Sequence, residues 1–262
     1  MMLTANKNLN RSIRSLLYIA FVGQLAFCSY ILLHFGGTAF QGDWNTWTES
    51  MIHGIIEGDP VGNAAVIFHI MLAFIITFSG PLQFFEWFRT NARSFHKYNG
   101  RIYILTALLI TVGALFMVWN RPATIGGQLG RVSLTINAGL IIWFAIMAWR
   151  TGVQRKFVEH RRWAIRTFVV VSGVWFFRIG FGTWILVTGF TAPGVKEDLT
   201  GWFDRMLYFT SYLGPLLVTE IYLRVKASDS LVAKKRLTIF LFALCPLLIA
   251  GTCVTAMVFW LS

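Results

Sequence analysis

Residues 157–171 read FVEHRRWAIRTFVVV and run on through VSGVWFFRIGFGTWILV at 171–187. The histidine-led basic cluster marks a water-facing edge, and the apolar run behind it suffices to cross the roughly 20-residue core of a bilayer. Arg178 interrupts that run about 12 residues beyond Arg166, or roughly 18 Å of helix. A guanidinium that far from either edge cannot snorkel out and is costly in lipid, so it is expected to face the interior of a helix bundle. An earlier stretch, SFHKYNGRIYILTALL at 94–109, repeats the histidine-led entry without the internal arginine.

Working outward, apolar stretches of bilayer length recur seven times. They lie at about 15–36, 64–88, 101–119, 132–150, 164–190, 206–225 and 237–261. The composition agrees: 56% hydrophobic, 13% charged, and a mean hydropathy of +0.63 over 262 residues. Such values belong to polytopic membrane proteins. The expected fold is all-α, a seven-helix transmembrane bundle forming one integral membrane domain over 1–262. A leading helix precedes three hairpins, at about 64–119, 132–190 and 206–261. The first segment is too long and too evenly apolar for a signal-peptide core. LAFC at 25–28 is no lipoprotein box, because bulky Phe27 precedes Cys28.

Charge sets the orientation. Of the 23 Lys and Arg, 18 fall at the N-terminus or in the second-to-third, fourth-to-fifth and sixth-to-seventh connections. Arg121, Arg131, Lys196 and Arg205 lie on the other side, with Asp43, Glu49, Glu57, Asp59, Glu197, Asp198 and Asp204. The positive-inside rule then places the N-terminus in the cytoplasm and the C-terminus outside, in a multi-pass membrane protein. The net charge of +12 is a topology signal with some attraction to anionic lipid. No contiguous soluble basic face exists for nucleic acid. Cys28, Cys245 and Cys253 all lie in apolar segments without metal-ligand spacing.

GPLQFFE at 80–86 and GPLLVTE at 214–220 share one pattern, read as a degenerate parallel repeat. Pro81 and Pro215 are expected to kink their helices. Arg178 is the first candidate for function. Its counter-group is expected to be carbonyls, Glu220, or an anionic ligand. Glu220 and Glu86 lie near the cytoplasmic ends of helices six and two, within reach of Arg166, Arg101 or Arg89. His96 and His160 open helices three and five at matched depth, His34 and His69 lie toward the outer ends of helices one and two, and His53 lies in an outer connection. Paired imidazoles at one depth are what bis-histidine haem needs, so His34, His69, His96 and His160 are candidate iron ligands. A lone membrane histidine also serves as an interhelical hydrogen-bonder.

These residues also carry a resemblance. His69 is followed by Gly80, Pro81, Gln83 and Phe84, then His96, Lys97, Gly100, Arg101 and Tyr103. His160, Arg161, Arg162, Trp163 and Arg166 come next, then Arg178 and Glu220. The ordered set, over about residues 64–225, resembles the predicted bacterial membrane proteins grouped as domain of unknown function 2306. Lys97 stands where that family often has arginine, and Ala164 where a larger apolar residue is common. The resemblance implies a membrane protein. It also suggests that Gln83, His96, Arg101, Tyr103, His160, Arg166 and Glu220 line one polar pocket opening to the cytoplasm.

Three functions fit the sequence. One is a redox protein of the cytochrome b type or a quinone-binding relative, with haem b or quinone as cofactor. Another is a small-solute or proton-coupled transporter, with Glu220 protonatable and Arg178 binding an anion. The third is a non-catalytic assembly partner of another membrane subunit or of a second copy. No nucleophile, base and orienting group occur together as a hydrolase would require, and helix seven has no lysine for retinal.

Overall fold

The computed structural model describes residues 1–51, 54–121 and 126–261, and every regular element among them is helical. His53 lies outside the described residues. The helices are α1 (Met2–Tyr30), α2 (Gly37–Gln41), α3 (Asn45–Ser50), α4 (Pro60–Leu82), α5 (Glu86–Asn91), α6 (Arg93–Asn120), α7 (Gly127–Val153), α8 (Phe157–Val171), α9 (Gly173–Val187), α10 (Trp202–Ala227) and α11 (Leu231–Thr255). One π-helical turn, Ile31–Gly36, joins α1 to α2, and another, Ala256–Trp260, extends α11.

Five stretches are long and apolar enough to cross a bilayer: Met2–Gln41, Pro60–Leu82, Arg93–Asn120, Gly127–Val153 and Leu231–Trp260. Helices α8 and α9 qualify together as a sixth, bent by 52°. The remaining expected segment, 206–225, falls in α10. That helix has the length, but Asp204, Arg205, Glu220 and its tyrosines leave it less apolar than the others.

Some boundaries differ from the hydropathy reading. Apolar sequence continues to 88, yet α4 stops at Leu82. The Gln83 and Phe84 N–H groups close tight turns on the Gly80 and Pro81 carbonyls, at 3.1 and 3.0 Å. The N-terminal residues are helical from Met2. Leu9 and Ser12 are fully buried, and Leu9 packs with Tyr222, Leu237 and Leu241.

The sharp bend also falls elsewhere. Pro81 sits in the last turn of α4, and Pro215 lies within the unbroken α10. The break comes at Ser172–Gly173, a pair that holds a helix weakly. Polar groups from two other helices meet it. Gln24 Nε2 of α1 donates to Ser172 Oγ at 3.0 Å, and Asn137 Nδ2 of α7 donates to the Val170 carbonyl at 3.3 Å. Irregular backbone at membrane depth needs such partners.

The bend changes the neighbours of this span. Below it, α8 packs on α7 and α10, and Phe168 and Val170 join the core formed by Ile76, Tyr103, Ala107, Ile141 and Phe144. Above it, α9 packs on α11 and α10, and Trp175 and Ile179 join Phe27, Ile31 and Trp260. The α9–α11 contact is close because Gly182 faces Gly251. A Cβ on Gly182 would lie 2.6 Å from the Gly251 carbonyl oxygen, so only small residues allow this approach.

At the end of the bundle away from the basic turns, buried Arg121 ties several segments of chain together. Its guanidinium donates to Asp59 Oδ2 at 3.2 Å, the Gly54 carbonyl at 3.1 Å and Asn63 Oδ1 at 3.0 Å. Asp59 also caps α4, accepting the Gly62 N–H at 2.8 Å. In the loops on this side, hydrogen bonds from Thr46 and Thr200 hold the Asp43 and Asp198 carboxyls below the ordinary carboxylate range.

Candidate functional site

Two arginines project from the bent α8–α9 span, and the chain treats them differently. Arg166, in α8, forms a bidentate ion pair with Glu220 of α10. Nε to Oε1 is 2.5 Å, and a terminal nitrogen meets Oε2 at 2.9 Å. Both side chains are mostly buried, and the guanidinium also stacks 4.8 Å from the Trp163 ring. Planar fork-to-carboxylate geometry is where arginine binds most strongly.

Arg178, in α9, has no carboxylate partner among the described residues. One terminal nitrogen donates to the Val174 carbonyl of its own helix at 3.3 Å. Its guanidinium carbon lies 4.8 Å from the Phe27 ring centre. Tyr30 of α1 and His69 of α4 are within electrostatic reach. The His69 ring adjoins the Ile110 carbonyl, while its Nδ1 is buried without a partner. Trp260 completes the wall, with ring centres 5.3 Å from Phe27 and 6.3 Å from Tyr30, and its Nε1 is also buried and unpartnered. The cluster therefore offers a guanidinium, an imidazole nitrogen and an indole N–H around three aromatic faces. That inventory suits a flat ligand bearing carbonyl or anionic oxygens.

The remaining sequence candidates divide by location. Gln83 and His96 come together. The Gln83 amide donates to His96 Nδ1 at 3.0 Å, and its oxygen accepts from the Gly100 N–H at 3.1 Å and from Asn99. Asn99, not singled out from sequence, also donates to the Ser79 carbonyl at 3.0 Å. His160 is near enough to His96 to interact electrostatically, with its Nδ1 2.8 Å from the Ala148 carbonyl. Tyr103 is buried against Gly80 and Phe168, its hydroxyl unpartnered. Arg101 is exposed and lies over Tyr98. Glu86 pairs with Arg14 of α1 at 3.0 Å, on the surface, and not with Arg166, Arg101 or Arg89. Glu220 is held by Arg166 and so does not serve Arg178.

Haem makes its own demands of the histidines. His96 accepts at Nδ1, which places its proton on Nε2, the nitrogen that iron would need. His34 Nε2 is 2.8 Å from Ser50 Oγ. His160 alone among these three presents its Nδ1 to a carbonyl and leaves Nε2 available, the arrangement of an iron ligand. No group of three metal-binding side chains gathers among the described residues.

Comparison with known proteins agrees with the membrane reading. The family described as a predicted membrane protein, DUF2306, matches residues 66–203, which include His69, the Gln83–His96 pair, Arg166 and Arg178. No curated protein and no solved structure matches the chain.

Proposed function

The chain belongs to the DUF2306 family of predicted membrane proteins, and we propose that it binds a small ligand with ketone or anionic oxygens between its helices, at Arg178. A quinone is the class that fits best. The observation that carries this reading is a mid-span guanidinium with no carboxylate partner among the described residues, set among Phe27, Tyr30, Trp260 and His69. A charge at that depth is retained at a cost and is by default functional. A quinone ring would lie along the Trp260 and Tyr30 faces, and its oxygens would accept from Arg178 and the Trp260 N–H, with His69 Nδ1 placed to accept from the hydroxyl of the reduced quinol. The tautomer of His96 and the bond to His34 argue for quinone over haem.

In this reading the bundle has seven spans. The bent α8–α9 pair and α10 are the fifth and sixth, the N-terminus is cytoplasmic, and the protein resides in a bacterial inner membrane. A second reading, transport of a small organic anion, is favoured by one feature: a helix broken at mid-span with charges on both halves.

The test is quinone quenching of tryptophan fluorescence in nanodiscs. Saturable quenching that weakens by about tenfold or more in Arg178→Gln supports the proposal. Unchanged quenching in Arg178→Gln sinks it. Uptake of an organic anion by proteoliposomes, abolished by the same substitution, would move the assignment to transport. An absorption spectrum from about 350 to 600 nm, oxidised and then reduced, checks haem directly, since a Soret band with sharp reduced bands would overturn the preference for quinone.

A further inference from the structure

A groove of about 360 Å³ lies between α8 and α10 at the end where the basic turns gather. Arg161 and Arg162 line it from α8, and Lys226 from α10. Ile165, Tyr222 and Leu223 supply an apolar floor. Among the described residues, no acidic one lines it. Of the carboxylates on these two helices, Glu220 is committed to Arg166 and Glu159, in the first turn of α8, is not among the lining. Neither Arg161 nor Arg162 has a carboxylate partner among the described residues. Arg161 is instead within repulsive reach of Arg89. Lys226 is positioned rather than free, because its ammonium donates to the Tyr222 hydroxyl at 3.0 Å and lies over that ring.

From this arrangement we propose that the groove binds an anionic phospholipid of the cardiolipin type. Its phosphates would meet Arg161, Arg162 and Lys226, and its acyl chains would follow Ile165 and Leu223 into the bilayer. Three cations with no ion pair among the described residues, above an apolar floor, match a headgroup joined to hydrocarbon. Soluble phosphate would satisfy only the upper half. Basic pockets between membrane helices recognise such headgroups by this combination. The site is separate from Arg178, and the inference does not depend on the quinone reading.

The test titrates the detergent-solubilised whole chain with pyrene-labelled cardiolipin and counts bound lipid by native mass spectrometry. One triple variant carries Arg161→Gln, Arg162→Gln and Lys226→Gln. A control with the same net charge carries Arg93→Gln, Arg150→Gln and Lys235→Gln, all exposed and outside the groove. At roughly fivefold per cation, the groove variant should bind on the order of a hundredfold more weakly, with the control unchanged. Equal affinity in the groove variant overturns the proposal. An equal loss in the control also overturns it, by showing attraction to surface charge in general. Inorganic pyrophosphate that displaces the label as readily as unlabelled cardiolipin would identify a soluble phosphate ligand and reject the lipid. Monodisperse elution in detergent checks the folding of both triple variants. The single Arg162→Gln change, expected to weaken binding several-fold, decides the matter in the same way should the triple variant fail to fold.

Discussion

Arg166 and Arg178 sit on one bent span, on opposite sides of Ser172, and invert the usual relation between depth and compensation. The arginine nearer the basic edge has a carboxylate, an aromatic face and two hydrogen bonds to Glu220. The deeper one, where desolvation is worse, has a backbone carbonyl and the face of Phe27. Were both structural, the deeper charge would be expected to have the better partner, because an uncompensated buried charge is the costlier state. The difference fits the proposed division of roles, with Arg166 fastening α8 to α10 and Arg178 offering donors to a ligand. The two halves of the span are also held differently. An ion pair secures α8, and glycine-to-glycine approach secures α9 on α11.

The largest blow to the upper half should come from Gly182→Leu, which drives a side chain into the Gly251 carbonyl. A loss of about 3 kcal/mol or more is expected in denaturant titrations in detergent. Full stability in that variant would mean that the helices can separate without cost. In the lower half, Glu220→Ala strands the Arg166 guanidinium and should cost about 2–3 kcal/mol, a buried-pair value reduced for partial exposure. The double variant Arg166→Leu/Glu220→Leu should recover most of this, and a cycle showing no coupling would remove the fastening role. At the joint, Gln24→Leu deletes one buried hydrogen bond to Ser172 and should cost about 1 kcal/mol. The smallest effect sharpens the contrast most. Arg178→Leu should leave thermal stability unchanged or slightly raised while abolishing quinone quenching. A large destabilisation there would make Arg178 a structural arginine after all.

Legibility from sequence follows the physics of each feature. The helices are readable because each must present about 20 apolar residues to lipid, and that requirement is local. The break is not, because proline advertises itself locally, whereas Ser172–Gly173 yields through its setting, with Gln24 and Asn137 arriving from distant helices. Arg178 stands out as a charge inside an apolar run, and Glu220 is recognisable as a partner for Arg166. Trp260 and Tyr30 are not recognisable as surroundings of Arg178, because aromatic residues near span ends read equally well as interfacial belts. The Arg14–Glu86 pair is hidden for another reason. The first 14 residues look like a tail, and only the packing of Leu9 and Ser12 makes them helix.

The π-helical turn Ala256–Trp260 sets the register of Trp260 in the Arg178 cluster. A π turn accommodates one residue beyond the α-helical count, so every side chain after it is rotated by about 100° relative to an uninterrupted helix. Trp260 closes that turn, with its ring centre 5.3 Å from Phe27 and 6.3 Å from Tyr30. Removing Met257 would restore a plain α-helix and swing the indole off the wall without deleting any group that touches it. The wall proposed to hold a ligand is thus open to a shift in counting, as well as to a change in chemistry.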